Sequence, residues 1–214
     1  MIKEMQASPY IRINHLEFEK STIDLPDIEF AISEIEKIVG IQLEDYFRDY
    51  IFVAEEIWIA WDYKQGSNYE KGGEFRLINL FDSLVRNKAK LWNDEMSQDK
   101  IEFLKSLRPF EDHPYSGDGK IGAFRISHGN SPEIWFYDLR TGYYKLSLTY
   151  EEYIELLLET KGFFNWQYLF CDAELHHYPA NLKKYLTKMI DILYQIFPSF
   201  DREKYLEILN KKNK

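Results

Sequence analysis

The chain has 214 residues, 45% hydrophobic and 17% aromatic, enough apolar material for a sizeable core without disulfide or metal staples. Its lone cysteine, Cys171, cannot form an internal disulfide, which fits a reducing compartment. A formal charge of -9 disfavours general nucleic-acid binding through phosphate contacts.

The opening stretch MIKEMQASPYIRINHLEFEK carries charges throughout and shows no signal peptide. No window reaches the apolar length that a membrane span needs, so a soluble, cytoplasmic protein is expected. The charge is unevenly spread. Leu182 to Lys214 holds eight Lys/Arg against four Asp/Glu, which leaves 19 basic and 32 acidic groups in the preceding 181 residues. An acidic body favours encounter with a basic protein partner. The plainer alternative is a solvated acidic surface that serves solubility.

In chain order, Ile28, Ile32, Ile35 and Val39 recur at helical spacing across 27–39, with Pro26 suited to the first turn and Gly40 to the residue just past the end. LEDYFRDYIF predicts a second helix with Leu43, Tyr46, Phe47 and Tyr50 on one side. IWIAWDY, from Ile57 to Tyr63, reads as a strand; GSNYEKGG supplies turn chemistry; Glu74 to Leu80 reads as the next strand. Residues 82–108 mix helical periodicity with charge, and only Lys100 to Leu107 stands out as a short helix. Pro109 to Gly119, rich in Pro, Gly, Asp and His, predicts a loop.

Strands are expected at Ile121–Ser127 and Ile134–Leu139, with a tight turn at Thr141-Gly142 leading into Tyr143–Leu148. Thr149 and Glu152 form a capping box that opens a helix running to Lys161. Its apolar face is expected to use Tyr153, Ile154, Leu157 and Leu158, and Gly162 ends it. Pro179 starts a long helix carrying Leu182, Tyr185, Leu186, Met189, Ile190 and Leu193; Pro198 closes it, and Asp201 caps a final helix with Tyr205, Leu206 and Leu209. Helices, then mostly strands, then helices argue for an α+β fold: a single domain with an antiparallel-rich sheet flanked by helices and a C-terminal helical extension.

The chemistry is sparse. Gly117, Gly119 and Gly122 match G-x-G-x-x-G within SGDGKIG, but that motif cradles a dinucleotide only between a strand and a helix N-terminus. Here a Pro-containing loop precedes it and the strand-like AFRI follows, so a loop leading into a strand is expected. Adjacent His176 and His177 suit one metal poorly, and no other cluster supports a metal or cofactor site. Cys171, in YLFCD, reads as a buried inert thiol rather than a nucleophile.

Carboxylates abound (Glu55, Glu56, Asp62, Glu70, Glu74, Asp138, Glu151, Glu155, Glu159), but nothing marks out the facing pair that a glycosidase requires. Glu151, Glu155 and Glu159 repeat at i+4, the ordinary pattern of a solvated helix face. Trp58, Trp61, Trp135 and Trp166 sit in core-like runs, so packing rather than sugar stacking is their default.

EIEKIVGIQLEDYFRDY (Glu34 to Tyr50) resembles the opening of the SUKH superfamily, which includes fungal glucan-synthesis regulators and many bacterial immunity proteins. IWIAWDY with GGEFRLINL is similar to that family's first strands, SPEIWFYD and KLSLTYEEYIELLLE to its later sheet-to-helix step, and WQYLF to one bacterial branch. The resemblance covers about residues 25–172. The chain departs from it at Gln42-Leu43, where the family has Leu-Pro, and at Glu55-Glu56, where it has Asn-Gly. The terminal helices have no counterpart in it.

With the resemblance, a SUKH-like α+β domain is expected over 1–174, and the helical periodicity that follows makes 175–214 a helical extension packed on the same domain. The resemblance further implies a protein that has no catalytic residue or cofactor and binds a toxin, often a nuclease. The expected function is therefore that of an immunity protein meeting a basic toxin domain, with no nucleic acid or membrane partner. Trp61, Asp62, Tyr69, Glu70, Glu74 and Asp138 are the candidate contact residues, acidic and aromatic groups near the sheet. Core packing is the alternative for Trp61, and simple solvation for the carboxylates. A regulatory scaffold with an endogenous partner is the first rival function, a hydrolase with a hidden carboxylate pair the second.

Overall fold

The computed structural model describes residues 1–19, 28–50, 54–87, 89–171 and 182–212. Its strands are β1 (Ile11–Glu19), β2 (Glu56–Gln65), β3 (Asn68–Ile78), β4 (Leu107–Asp112), β5 (Lys120–Arg125), β6 (Glu133–Asp138) and β7 (Gly142–Lys145). They form one seven-stranded sheet in sequence order, each strand antiparallel to the next. The helices are α1 (Ile2–Ala7), α2 (Ile28–Val39), α3 (Leu80–Leu84), α4 (Gln98–Ser106), α5 (Tyr150–Thr160), α6 (Leu182–Ile196) and α7 (Arg202–Lys211). Two 3-10 segments lie at Asp45–Tyr50 and Trp166–Leu169. This is the expected α+β fold.

Alternation sorts the sheet residues onto two faces. Ile59, Trp61, Phe75, Phe124 and Phe136 enter one large core, and Ile32, Ile35, Tyr153, Leu157, Leu186, Met189 and Leu193 cover it from the helices. Ala123, Trp135 and Tyr137 point the other way, into a smaller cluster under Leu104 of α4. The terminal helices share the main core, and Phe197, just past α6, meets the Trp61 ring edge-on with centroids 6.4 Å apart. They pack on the same domain; the expected boundary after residue 174 falls outside the described residues.

Local signals explain most element ends. Gly40 follows α2 at φ 74°, the left-handed conformation that releases a helix C-terminus. Pro26 and Pro179 lie outside the described residues. Thr149 Oγ1 accepts from the Glu152 amide at 3.1 Å, and the Glu152 carboxylate accepts from the Thr149 amide at 2.7 Å, closing the capping box. Asp201 caps α7 by accepting from the Lys204 amide.

Several expectations need correction. The first 19 residues form α1 and β1, which the sequence signal hides: β1 places Ile11 and Ile13 in one phase and Leu16 and Phe18 in the other, with a register shift between Ile13 and His15. The GSNYEKGG turn shrinks to Gly66-Ser67, and β3 begins at Asn68. Gly72 is the extra residue of a bulge opposite Trp61–Asp62, and a side chain there would strike the Trp61 ring.

Pro109 sits inside β4, not in a loop. β3 pairs with β4 only at Arg76–Asp112 and Leu77–Glu111, so no ladder from β3 reaches Pro109. Within LEDYFRDYIF, Asp45–Tyr50 forms a 3-10 segment rather than an α-helix, and α5 buries Tyr150, Leu156 and Thr160 alongside Tyr153 and Leu157, while Leu158 is exposed.

Candidate functional site

Three of the six candidate contact residues are internal. Trp61 is 1% exposed and donates from Nε1 to the Lys161 carbonyl at 2.8 Å. Glu74 is 0% exposed and accepts from Trp58 Nε1 and from the amides of Tyr115 and Ser116, which fastens the β4–β5 loop to the sheet. Asp138 is 1% exposed and accepts from the Tyr168 hydroxyl at 2.8 Å and the Arg140 amide at 2.9 Å. These are structural groups that a partner does not touch in the folded chain.

The other three gather on the β2–β3 hairpin, where their charge is already matched. Asp62 pairs with Arg12 at 2.5 Å, and the same guanidinium lies 4.3 Å from the centre of the Tyr69 ring. Glu70 accepts from the Tyr63 hydroxyl at 2.6 Å and pairs with Lys188 of α6 at 3.0 Å. Those hydrogen bonds, Tyr63's first, hold the Glu70 carboxyl below the usual range.

A single-signed face lies elsewhere, where the 3-10 segment Asp45–Tyr50 packs on α5. Phe47 is its buried anchor, stacked on Tyr150 with centroids 5.7 Å apart, and Tyr50 meets Tyr150 edge-on at 5.6 Å. Around the half-buried Tyr46 and Tyr50 stand the exposed Glu44, Asp49, Glu151, Glu152 and Glu155. Burial pushes the Tyr46 phenol up to about 12, with the charges of Glu44, Glu151 and Glu152 adding. Tyr50 is raised for the same reason, burial first and then Glu151, Glu155 and Asp49. Arg48 is taken by Glu29 and Asp45, and Asp49, Glu151 and Glu155 have no ion pair among the described residues. The third carboxylate of the i+4 series differs: Glu159 binds Lys204 and the Tyr205 hydroxyl, both at 2.7 Å, and ties α5 to α7.

The sequence reading missed a buried polar chain behind the hairpin. Tyr153 donates to Glu111 Oε2 at 2.6 Å, Glu111 Oε1 meets His113 Nε2 at 3.1 Å, His113 Nδ1 meets Asp118 Oδ1 at 3.1 Å, and Asp118 Oδ2 meets Lys120 Nζ at 2.7 Å. Burial alone would lower the His113 pKa, but hydrogen bonds to Asp118 and Glu111, and their charges, push it up to about 10. Burial would raise Asp118, but His113 and then Lys120 hold it well below the carboxylate range. His113 is thus a fixed imidazolium with a carboxylate on each nitrogen, and neither nitrogen is placed to accept a proton at neutral pH. The only signal for this chain was the Asp and His content of a segment read as a loop.

Asp118 and Lys120 open onto a cavity of about 610 Å³, with Tyr63, Glu70, Lys71, Arg140, Phe164 and Lys188 among its walls. Its two carboxylates among the described residues, Glu70 and Asp118, are both held low. Neither is the proton-bearing acid that glycoside hydrolysis requires. Glu56, raised chiefly by burial, lies beside Arg76 rather than in this cavity.

Among the described residues, no group of three or more His, Cys, Asp or Glu side chains is placed to hold a metal ion, and no helix is long and apolar enough to cross a membrane. His176 and His177 lie outside the described residues, and Cys171 is buried. No family model, curated protein or solved structure matches this chain.

Proposed function

We propose that this chain is a non-catalytic protein-binding domain of SUKH type, acting in the cytoplasm as an immunity protein that covers the basic surface of a toxin. The observation that carries the reading is the face built by Asp45–Tyr50 and α5. There half-buried tyrosines stand among exposed carboxylates, of which Asp49, Glu151 and Glu155 make no ion pair among the described residues, on a helix whose start is fixed by its capping box. Aromatic anchors within a charged rim are the anatomy of a protein interface, and unpaired negative charge speeds encounter with a positive partner. The hairpin acids fit this role less well, because Arg12 and Lys188 already neutralise them.

The test is co-expression of a secreted toxin encoded beside this gene with the wild-type chain or with the triple variant Asp49→Lys, Glu151→Lys, Glu155→Lys. The wild type protects the cells and co-elutes with the toxin domain; the variant folds, binds at least about tenfold more weakly and fails to protect. Unchanged killing by the toxin, together with no complex on a sizing column, removes the immunity reading. The same face docking instead on a host protein in a cross-linking experiment would establish the regulatory scaffold.

A further inference from the structure

The glycine run SGDGKIG does not build a dinucleotide cradle, since its last glycine lies within β5 and no helix follows. It does something else. Gly117 and Gly119, at φ 60° and 76°, turn the β4–β5 loop so that Ser116, Gly117, Asp118 and Lys120 form one wall of the 610 Å³ cavity. Four cations from four separate places converge on that cavity: Lys71 of β3, Lys120 of β5, Arg140 after β6 and Lys188 of α6. In a chain of formal charge -9, this is a local reversal of sign.

Among the described residues, both carboxylates of the cavity are committed, Glu70 to Lys188 and Asp118 to Lys120 and His113. Lys71 and Arg140 are exposed and make no ion pair among the described residues. The Ser116 hydroxyl is buried at the wall without a hydrogen-bond partner. The half-buried Phe164 and Tyr185 also line it, so the space carries aromatic as well as cationic surface. The volume falls in the range of about 300–1,000 Å³ typical of small-molecule sites.

We propose that this cavity binds a small phosphate monoester carrying a flat apolar group, independently of the acidic face, with which it shares no residue. The fork of Arg140 presents paired N–H donors to phosphate oxygens, and Lys71 adds a point charge. Phe164 and Tyr185 offer the ring a surface that water wets poorly.

The experiment titrates the full chain with phenyl phosphate, benzoate and benzyl alcohol by calorimetry, and follows amide shifts by NMR. Phenyl phosphate binds saturably and moves the Gly117 and Phe164 amides; benzoate binds more weakly, and benzyl alcohol does not bind. The double variant Lys71→Ala, Arg140→Ala loses at least tenfold in affinity at an unchanged unfolding midpoint, whereas Lys100→Ala on α4 changes nothing. Three results would each overturn the assignment: no saturable binding of phenyl phosphate at millimolar concentration, equal binding of benzyl alcohol, or full affinity in the double variant. Should the double variant misfold, the wild-type amide shifts decide alone: movement confined to residues outside the cavity rejects the site.

Discussion

The Tyr153 hydroxyl of α5 donates to Glu111 of β4 at 2.6 Å in the space where Gly122 of β5 has no side chain. A Cβ at position 122 would lie 2.6 Å from that hydroxyl and 3.0 Å from the Glu111 carboxylate. The glycine is therefore a packing requirement of the helix-to-sheet contact, not a phosphate-binding feature. Gly122→Ala should cost about 1–3 kcal/mol through overpacking. Tyr153→Phe leaves a buried carboxylate short of a donor and should cost a similar amount. Urea denaturation of both variants checks this; a midpoint equal to wild type for either would contradict it.

His113 makes stability depend on pH in a defined direction. Its folded pKa, about 10, lies above the ordinary value of about 6.5. Its contribution is thus fully present below pH 6.5 and fades as pH rises toward 10. Asp118 is depressed, so its contribution is present above about pH 4 and is lost as the pH falls below that. His113→Gln should cost about 3–5 kcal/mol near neutrality by leaving the buried Glu111 carboxylate without a cation and Asp118 with Lys120 alone. The gap between wild type and variant should narrow from pH 7 to pH 10. A constant gap across that range would show that the imidazole is neutral.

The capping box fixes the start of α5 and with it the acidic face. Thr149→Ala removes the acceptor for the Glu152 amide and should cost about 1 kcal/mol. Hydrogen exchange should accelerate in the first turn of α5 while the sheet stays protected. Uniform acceleration over the whole chain would place the loss elsewhere.

Removing residues 182–212 should abolish cooperative unfolding. Leu182, Leu186, Met189, Ile190 and Leu193 are all 0% exposed and belong to the core that holds Trp61 and Phe163. Losing several such side chains at about 2–5 kcal/mol each exceeds the usual stability of a domain, about 5–15 kcal/mol. Near-UV circular dichroism reports the outcome, and a native-like spectrum from the truncated chain would make these helices dispensable.

Local pattern carried far in this protein. The spacing of Ile28, Ile32 and Ile35, the capping box at Thr149, the cap at Asp201 and the runs through Trp61, Phe124 and Phe136 each identify an element from neighbours a few residues apart. Where the pattern slips, the reading fails. The phase change near His15 conceals β1, and the Gly72 bulge disguises half of β3 as a turn.

The amino-acid order determined an α+β chain with an acidic body and basic terminal helices. Only the tertiary structure decided which acids remain free. Glu74 is consumed by amides 41 and 42 residues away, Asp138 by a phenol 30 residues away, and Glu70 by a lysine 118 residues away, whereas Asp49, Glu151 and Glu155 make no ion pair among the described residues. Periodicity reports which face of an element a residue occupies, while the burial and partner of a charge depend on what distant segments bring to that face.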